Sequence, residues 1–61
     1  MTQSETREVA LTIKFGQTLG ADYMARALSA LYRSARSAKS QREILTMAAL
    51  CGADKSPEFI I

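Results

Sequence analysis

An all-α fold of three short helices, at about 4–19, 22–37 and 41–51, is what this 61-residue sequence predicts. Three observations carry that reading. Two S/T-x-x-E signatures, Thr2-Gln3-Ser4-Glu5 and Ser40-Gln41-Arg42-Glu43, each offer a hydroxyl and a carboxylate that satisfy reciprocal unpaired N–H groups at a helix start. Glycine follows the first and last apolar runs, at Leu19-Gly20 and Cys51-Gly52, where a left-handed residue ends a helix. Between them, apolar side chains recur at steps of three and four from Asp22 onward.

The first helix needs the most argument. In "REVALTIKF" (7–15), Val9, Leu11, Ile13 and Phe15 alternate with Glu8, Ala10, Thr12 and Lys14, the period of a half-buried strand. The strand template covers only about seven residues, however, and leaves the flanking start and stop signals unexplained. On a helix, Arg7, Ala10, Lys14 and Gln17 share one face, and Val9, Leu11, Ile13, Phe15 and Leu19 fill a wide opposite arc broken only by Glu8. The helix is therefore the preferred reading. Gly16 lies inside it, and glycine in a helix costs about 1 kcal/mol against alanine, so a stop at Phe15 with a restart near Thr18 is the alternative to one continuous helix. The alternative is a ribbon-helix-helix dimer, in which residues 8–14 pair across two chains and Thr12 and Lys14, with Ala10 between, face the DNA major groove. Against it, Ala10 is a poor base reader and "GQTLGAD" is long for that connection, although "KSQREI" resembles such a repressor's approach to its last helix.

In the second helix, Met24, Ala27, Leu28, Leu31, Ala35 and Ala38 share one face, and Arg26, Ser29, Arg33, Arg36 and Ser37 the other. Asp22 suits the N-cap or first turn, and the later half carries only positive charge, as the helix dipole prefers. The third helix, "ILTMAALC", has only Thr46 as a polar residue between Glu43 and Gly52. A helix apolar nearly all round is surrounded by protein. A chain this short buries only about 60% of its unfolded surface, so the expectation is an intertwined homodimer with this helix near its centre and Leu28, Leu31, Ile44, Leu45, Met47 and Leu50 as the dimer core. Ser56 and Pro57 suggest one further helical turn, with Phe59, Ile60 and Ile61 docked on the core.

Composition excludes several chemistries. The chain has no histidine and one cysteine, which leaves no intrachain disulfide, no thiolate metal cluster and no imidazole base. Cys51 is expected to be a buried small hydrophobe. The acids are scattered without dyad spacing, and "GADKS" (52–56) lacks the upstream glycine and strand-to-helix setting of a phosphate loop. Gly16-Gln17-Thr18-Leu19-Gly20 matches G-x-x-x-G, which outside a membrane signals at most a close backbone approach. No catalytic residue, metal ligand or cofactor is expected, and the chain reads as a non-enzyme. "MTQSETRE" lacks the layout of a secretory signal and no apolar run reaches membrane-span length, so the cytoplasm is the expected compartment.

The positive signal is electrostatic. Residues 23–42 hold five cations, Arg26, Arg33, Arg36, Lys39 and Arg42, and no acid, while the rest of the chain is net −3. Arginine suits carboxylate or phosphate forks, and Ser29, Ser34, Ser37 and Ser40 could add phosphate hydrogen bonds. The plain account is a solvated helix face favoured by the dipole. The functional one is a surface for an acidic protein or for DNA, with a protein partner preferred because no element presents a convincing set of base-reading side chains. Tyr23 and Tyr32 could stack on bases, but half-buried tyrosine at helical spacing is the commoner finding.

Through "FGQTLGADYM", "LYRSAR" and "AALCGADKSPEF", nearly half the chain, the sequence resembles the small helical accessory proteins of temperate lambdoid phages. The resemblance implies a regulator in the host cytoplasm that binds a host protein and biases host physiology or the lysis–lysogeny choice. It carries no functional residue across.

Overall fold

Thr2 starts the chain's first helix as its sequence requires. In the computed structural model, which describes residues 1–60, Thr2 is extended and its Oγ1 accepts the Glu5 N–H at 3.2 Å, while Glu5 Oε1 accepts the Thr2 N–H at 2.9 Å. Helix α1 then runs Gln3–Leu19 without interruption. The strand alternative falls here: residues 8–14 are helical, and no strand occurs among the described residues, which removes the ribbon of a ribbon-helix-helix dimer.

The alternative break at Phe15 is also absent, and the reason is packing. Gly16 is buried against Met24, so close that a Cβ at Gly16 would lie 2.8 Å from Met24 Cβ and 2.5 Å from its Cε. The close approach offsets the intrinsic cost of a helical glycine. Gly20 closes α1 at φ 108°, its N–H donating to the Gly16 carbonyl, and serves at once as N-cap of α2, Ala21–Ser34. Asp22 takes the first-turn position.

Helix α2 ends three residues earlier than expected, and α3, Ala38–Cys51, begins about a turn earlier. Both corrections come from the serines of "SARSAKS". Ser34 Oγ donates to the Leu31 carbonyl, Gln41 Nε2 donates to the Tyr32 carbonyl, and Ala35 is extended, so the end of α2 is satisfied locally. Ser37, not Ser40, is the N-cap of α3, accepting the Ser40 N–H at 3.1 Å. Ser40 is buried inside the first turn, and Glu43, its expected capping partner, lies 3.5 Å from the Met1 amine.

Gly52 ends α3 in the left-handed conformation, and a 3-10 turn, Ala53–Lys55, follows. The turn expected from Ser56 and Pro57 forms without becoming a helix: Ser56 Oγ accepts the Glu58 N–H and the Ser56 carbonyl accepts the Phe59 N–H. Phe59 packs half-buried on the core, and the Ile60 N–H donates to Ser29 Oγ at 3.0 Å, while Ile60 itself is exposed. Ile61, the last residue of the expected docked tail, lies outside the described residues.

The core consists of Val9, Met24, Ala25, Leu28, Ile44, Ala48 and Ala53. Helix α2 is its axis, packed by α1, α3 and the 3-10 turn. Among the side chains expected to form a dimer core, Leu28 and Ile44 are fully covered by their own chain, Leu31 and Met47 pack half-buried against it, Leu45 is half-buried, and Leu50 is 77% exposed. Cys51, expected inside, is exposed at the last turn of α3; Ala53, folded back by Gly52, occupies the covered place. No helix among the described residues is long and apolar enough to cross a membrane.

Candidate functional site

The five cations of residues 26–42 divide into one with an internal partner and four without. Arg26, in the middle of α2, donates from Nε to Glu58 Oε2 at 3.0 Å, and that hydrogen bond and charge hold its guanidinium pKa above the ordinary arginine value. Arg33, Arg36, Lys39 and Arg42 are exposed, and none of them has a carboxylate within ion-pair distance among the described residues. They follow the chain round a single corner: Arg33 in the last turn of α2, Arg36 in the link, Lys39 and Arg42 in the first two turns of α3.

The break at Ala35 changes the electrostatics of this corner. Arg33 lies where the α2 dipole favours a cation. Lys39 lies at the opposite kind of end, in the first turn of α3, where the dipole disfavours it, and Arg42 follows one turn on. The Glu5 carboxylate compensates in part: it accepts the Arg36 N–H at 3.2 Å through Oε2 and the Ser40 hydroxyl at 3.3 Å through Oε1. The Thr2 amide first, then the Arg36 amide and the Ser40 hydroxyl, hold the Glu5 pKa below the usual glutamate value. Glu5 was legible as half of a capping box. Its second role, fastening α1 to the start of α3, had no signal in the local sequence.

The serines proposed as phosphate ligands are otherwise engaged. Ser29 is buried and donates to the Ala25 carbonyl at 2.7 Å, contrary to its expected place on the polar face. Ser34 bonds Leu31, Ser37 caps α3, and Ser40 bonds Glu5. No group of three or more potential metal-ligating side chains forms among the described residues.

A second feature went unassigned in the sequence. The turn at Gly20 folds α1 and α2 into an antiparallel hairpin, and an open groove of about 440 Å³ runs between them. Glu8, Leu11 and Phe15 line it from α1, Tyr23 and Ala30 from α2, over Thr12, Ala27 and Leu31. Leu11, Phe15 and Tyr23 are 43%, 49% and 39% exposed. Glu8 and Leu31 also line an adjoining cavity of about 160 Å³ that reaches Glu5, Ser34 and Arg36, so the apolar groove leads to the basic corner. Its sequence signal was the width of the apolar arc on α1, broader than one core contact requires. Tyr32, by contrast, packs against the core.

These features define a class, a three-helix module with a grooved hairpin face and a cationic corner. No family model, curated protein or solved structure matches the chain.

Proposed function

We propose that this chain is a small non-enzymatic regulator that acts in the cytoplasm by binding another protein through Arg33, Arg36, Lys39 and Arg42. The observation that supports the reading most directly is the gathering of these four exposed cations round one corner, with Lys39 in the first turn of α3. Lys39 there opposes the helix dipole by a few tenths of a kcal/mol, up to about 1 kcal/mol, so the plain account of a dipole-favoured solvated face applies to Arg33 but not to Lys39. Four exposed cationic side chains with no ion-pair partner among the described residues suit an external acidic surface. Internal use of all four serines favours a carboxylate partner over phosphate. Arg26, paired with Glu58, is left out of the surface. The accessory role implied by the phage-type resemblance, binding a host protein to bias host physiology, is of this kind.

The test is the double charge reversal Arg33→Glu, Arg36→Glu. Both side chains are exposed, so helical circular dichroism should be unchanged. Proteins retained by the wild-type chain and lost by the variant are then purified and rebound singly. Loss of binding of at least tenfold is expected. Nanomolar, sequence-specific binding to one DNA duplex, with affinity falling at a slope near −0.9 per phosphate contact on a log–log salt plot, would replace the protein partner with an operator.

A further inference from the structure

Among the described residues, the link between α2 and α3 is where the chain sets a cation on extended, untied backbone. We propose that the Arg36–Ser37 bond is a cleavage site for endoproteases of the trypsin class, whose substrate pocket takes a cation, and that one cut there dismantles the module. Ala35 (φ −63°, ψ 142°) and Ser37 (φ −149°, ψ 160°) flank Arg36 in the extended form that suits a protease cleft. Arg36 and Ser37 are both exposed. Neither the Arg36 carbonyl nor the Ser37 N–H has a hydrogen-bond partner among the described residues, so the bond to be cut is itself free. Two contacts hold the link: the Arg36 N–H donates to Glu5 Oε2 at 3.2 Å, and Ser37 Oγ accepts the Ser40 N–H at 3.1 Å.

The other cations are protected by their backbone. Arg7, Lys14, Arg26, Arg33, Lys39 and Arg42 lie within helices. Lys55 ends the 3-10 turn, but the Ser56 N–H that follows it donates to the Ala53 carbonyl, and the tail beyond is fastened through the Ile60 N–H to Ser29. To enter a protease the first turn of α3 must open with the link, and that turn carries Lys39 against the helix dipole. Helix ends open at far lower free energy than the whole domain. The cut is a hydrolysis: the oxygen of water joins the Arg36 carbonyl carbon as the amide bond breaks, and the Ser37 nitrogen takes a proton and leaves as an amine. Residues 1–36 then keep Val9, Met24, Ala25 and Leu28 of the core, and residues 37–61 keep Ile44, Ala48 and Ala53. Chains below about 40 residues rarely hold a core unaided, so neither piece stays folded. The cut also parts Arg33 and Arg36 from Lys39 and Arg42, the surface proposed above, although the cut itself does not rest on that reading.

The experiment is brief digestion of the full folded chain by trypsin, sampled by mass spectrometry and circular dichroism together. Residues 1–36 and 37–61 are expected as the first products, with the helical signal falling in step with their appearance. Arg36→Gln should remove that pair and lengthen the half-life of the intact chain by at least about fivefold. Its side chain is exposed and its backbone N–H still reaches Glu5, so the fold is kept. Glu5→Gln leaves Arg36 in place but loosens its tether, and should hasten this cut above the others. First cleavage at any other bond, or an unchanged half-life for Arg36→Gln, would overturn the site. Equal acceleration of every cut by Glu5→Gln would mean that the chain is cleaved from its unfolded state, and would overturn it too. A helical signal that persists after full conversion to the two pieces would overturn the dismantling.

Discussion

Helices α1 and α3 exchange the roles their sequences suggest. Helix α3 reads as apolar nearly all round, yet its own chain covers Ile44 and Ala48 and half-covers Leu45 and Met47, leaving Leu50 as its one large exposed apolar side chain. Helix α1 reads as ordinarily amphipathic, yet Leu11, Phe15 and Leu19 all lie in solvent, Leu19 at 61% exposure. The contact with α2 explains the difference. At α1 the two helices approach so closely at Gly16 that the buried stripe is built from Val9, Thr12 and Gly16 with Ile13 at its edge, and the larger side chains are displaced to one side. Close approach selects small residues, so apolarity alone does not mark the covered face.

The largest test of this contrast pairs two substitutions on α3. Ile44→Asp places an unpaired charge at a position 1% exposed and should cost about 3–5 kcal/mol, enough to unfold a chain of this size. Leu50→Asp should change stability by no more than about 0.5 kcal/mol. Thermal denaturation followed by circular dichroism separates them. The expected homodimer is probed by the same pair: with Leu28 and Ile44 already covered within one chain, an interface at α3 has Leu50, Leu45 and Met47 to use, so self-association through α3 would make Leu50→Asp lower both the sedimentation coefficient and the denaturation midpoint. Equal unfolding by both substitutions would mean that the face at Leu50 is covered in solution.

At α1, Gly16→Ala sets two effects against each other. Alanine gains about 1 kcal/mol of helix propensity. The new methyl meets Met24 Cβ at 2.8 Å, an atom fixed by the α2 backbone, and overpacking of this kind costs about 1–3 kcal/mol. The clash should win by about 1 kcal/mol, read as a lower denaturant midpoint. A rise in the midpoint would show that the helices can part, and that the narrow stripe is not what leaves Leu11 and Phe15 outside.

The legible parts of the fold were those written within four or five residues. The Thr2–Glu5 box, the stops at Gly20 and Gly52 and the helical choice over residues 7–15 all follow from local hydrogen bonding and periodicity. What failed was competition between equivalent local signals. Ser37 and Ser40 both offer a cap, and only the position of Glu5, thirty-five residues from Ser40, shows why Ser40 turns inward and Ser37 takes the cap. Ser29 was misplaced for a similar reason, since the chain that covers it returns from the far end through Ile60. Of the candidate site, the basic residues were visible as charge and the groove only as surplus apolar width.

Glu5 links the two unlike helices, so its titration gives the smallest and most specific test. Its pKa is lowered in the folded chain by the Thr2 amide, the Arg36 amide and the Ser40 hydroxyl. A depressed carboxylate binds its proton less readily when folded than when unfolded. Its stabilisation is therefore fully present above the unfolded glutamate pKa and is lost as pH falls through the lower folded value. Stability should decline over that acidic window, and Glu5→Gln should flatten that part of the decline. The substitution should also loosen the start of α3, because a neutral amide is a weaker acceptor for the Arg36 N–H and the Ser40 hydroxyl and removes the negative charge that these groups hold beside the first turn. Hydrogen exchange at Arg36 and at the first turn of α3 should then rise more than exchange near Gly52. Equal change at both ends of α3, or an unaltered pH profile, would confine Glu5 to capping α1 and leave the docking of the two helices to Val9, Leu31 and Ile44.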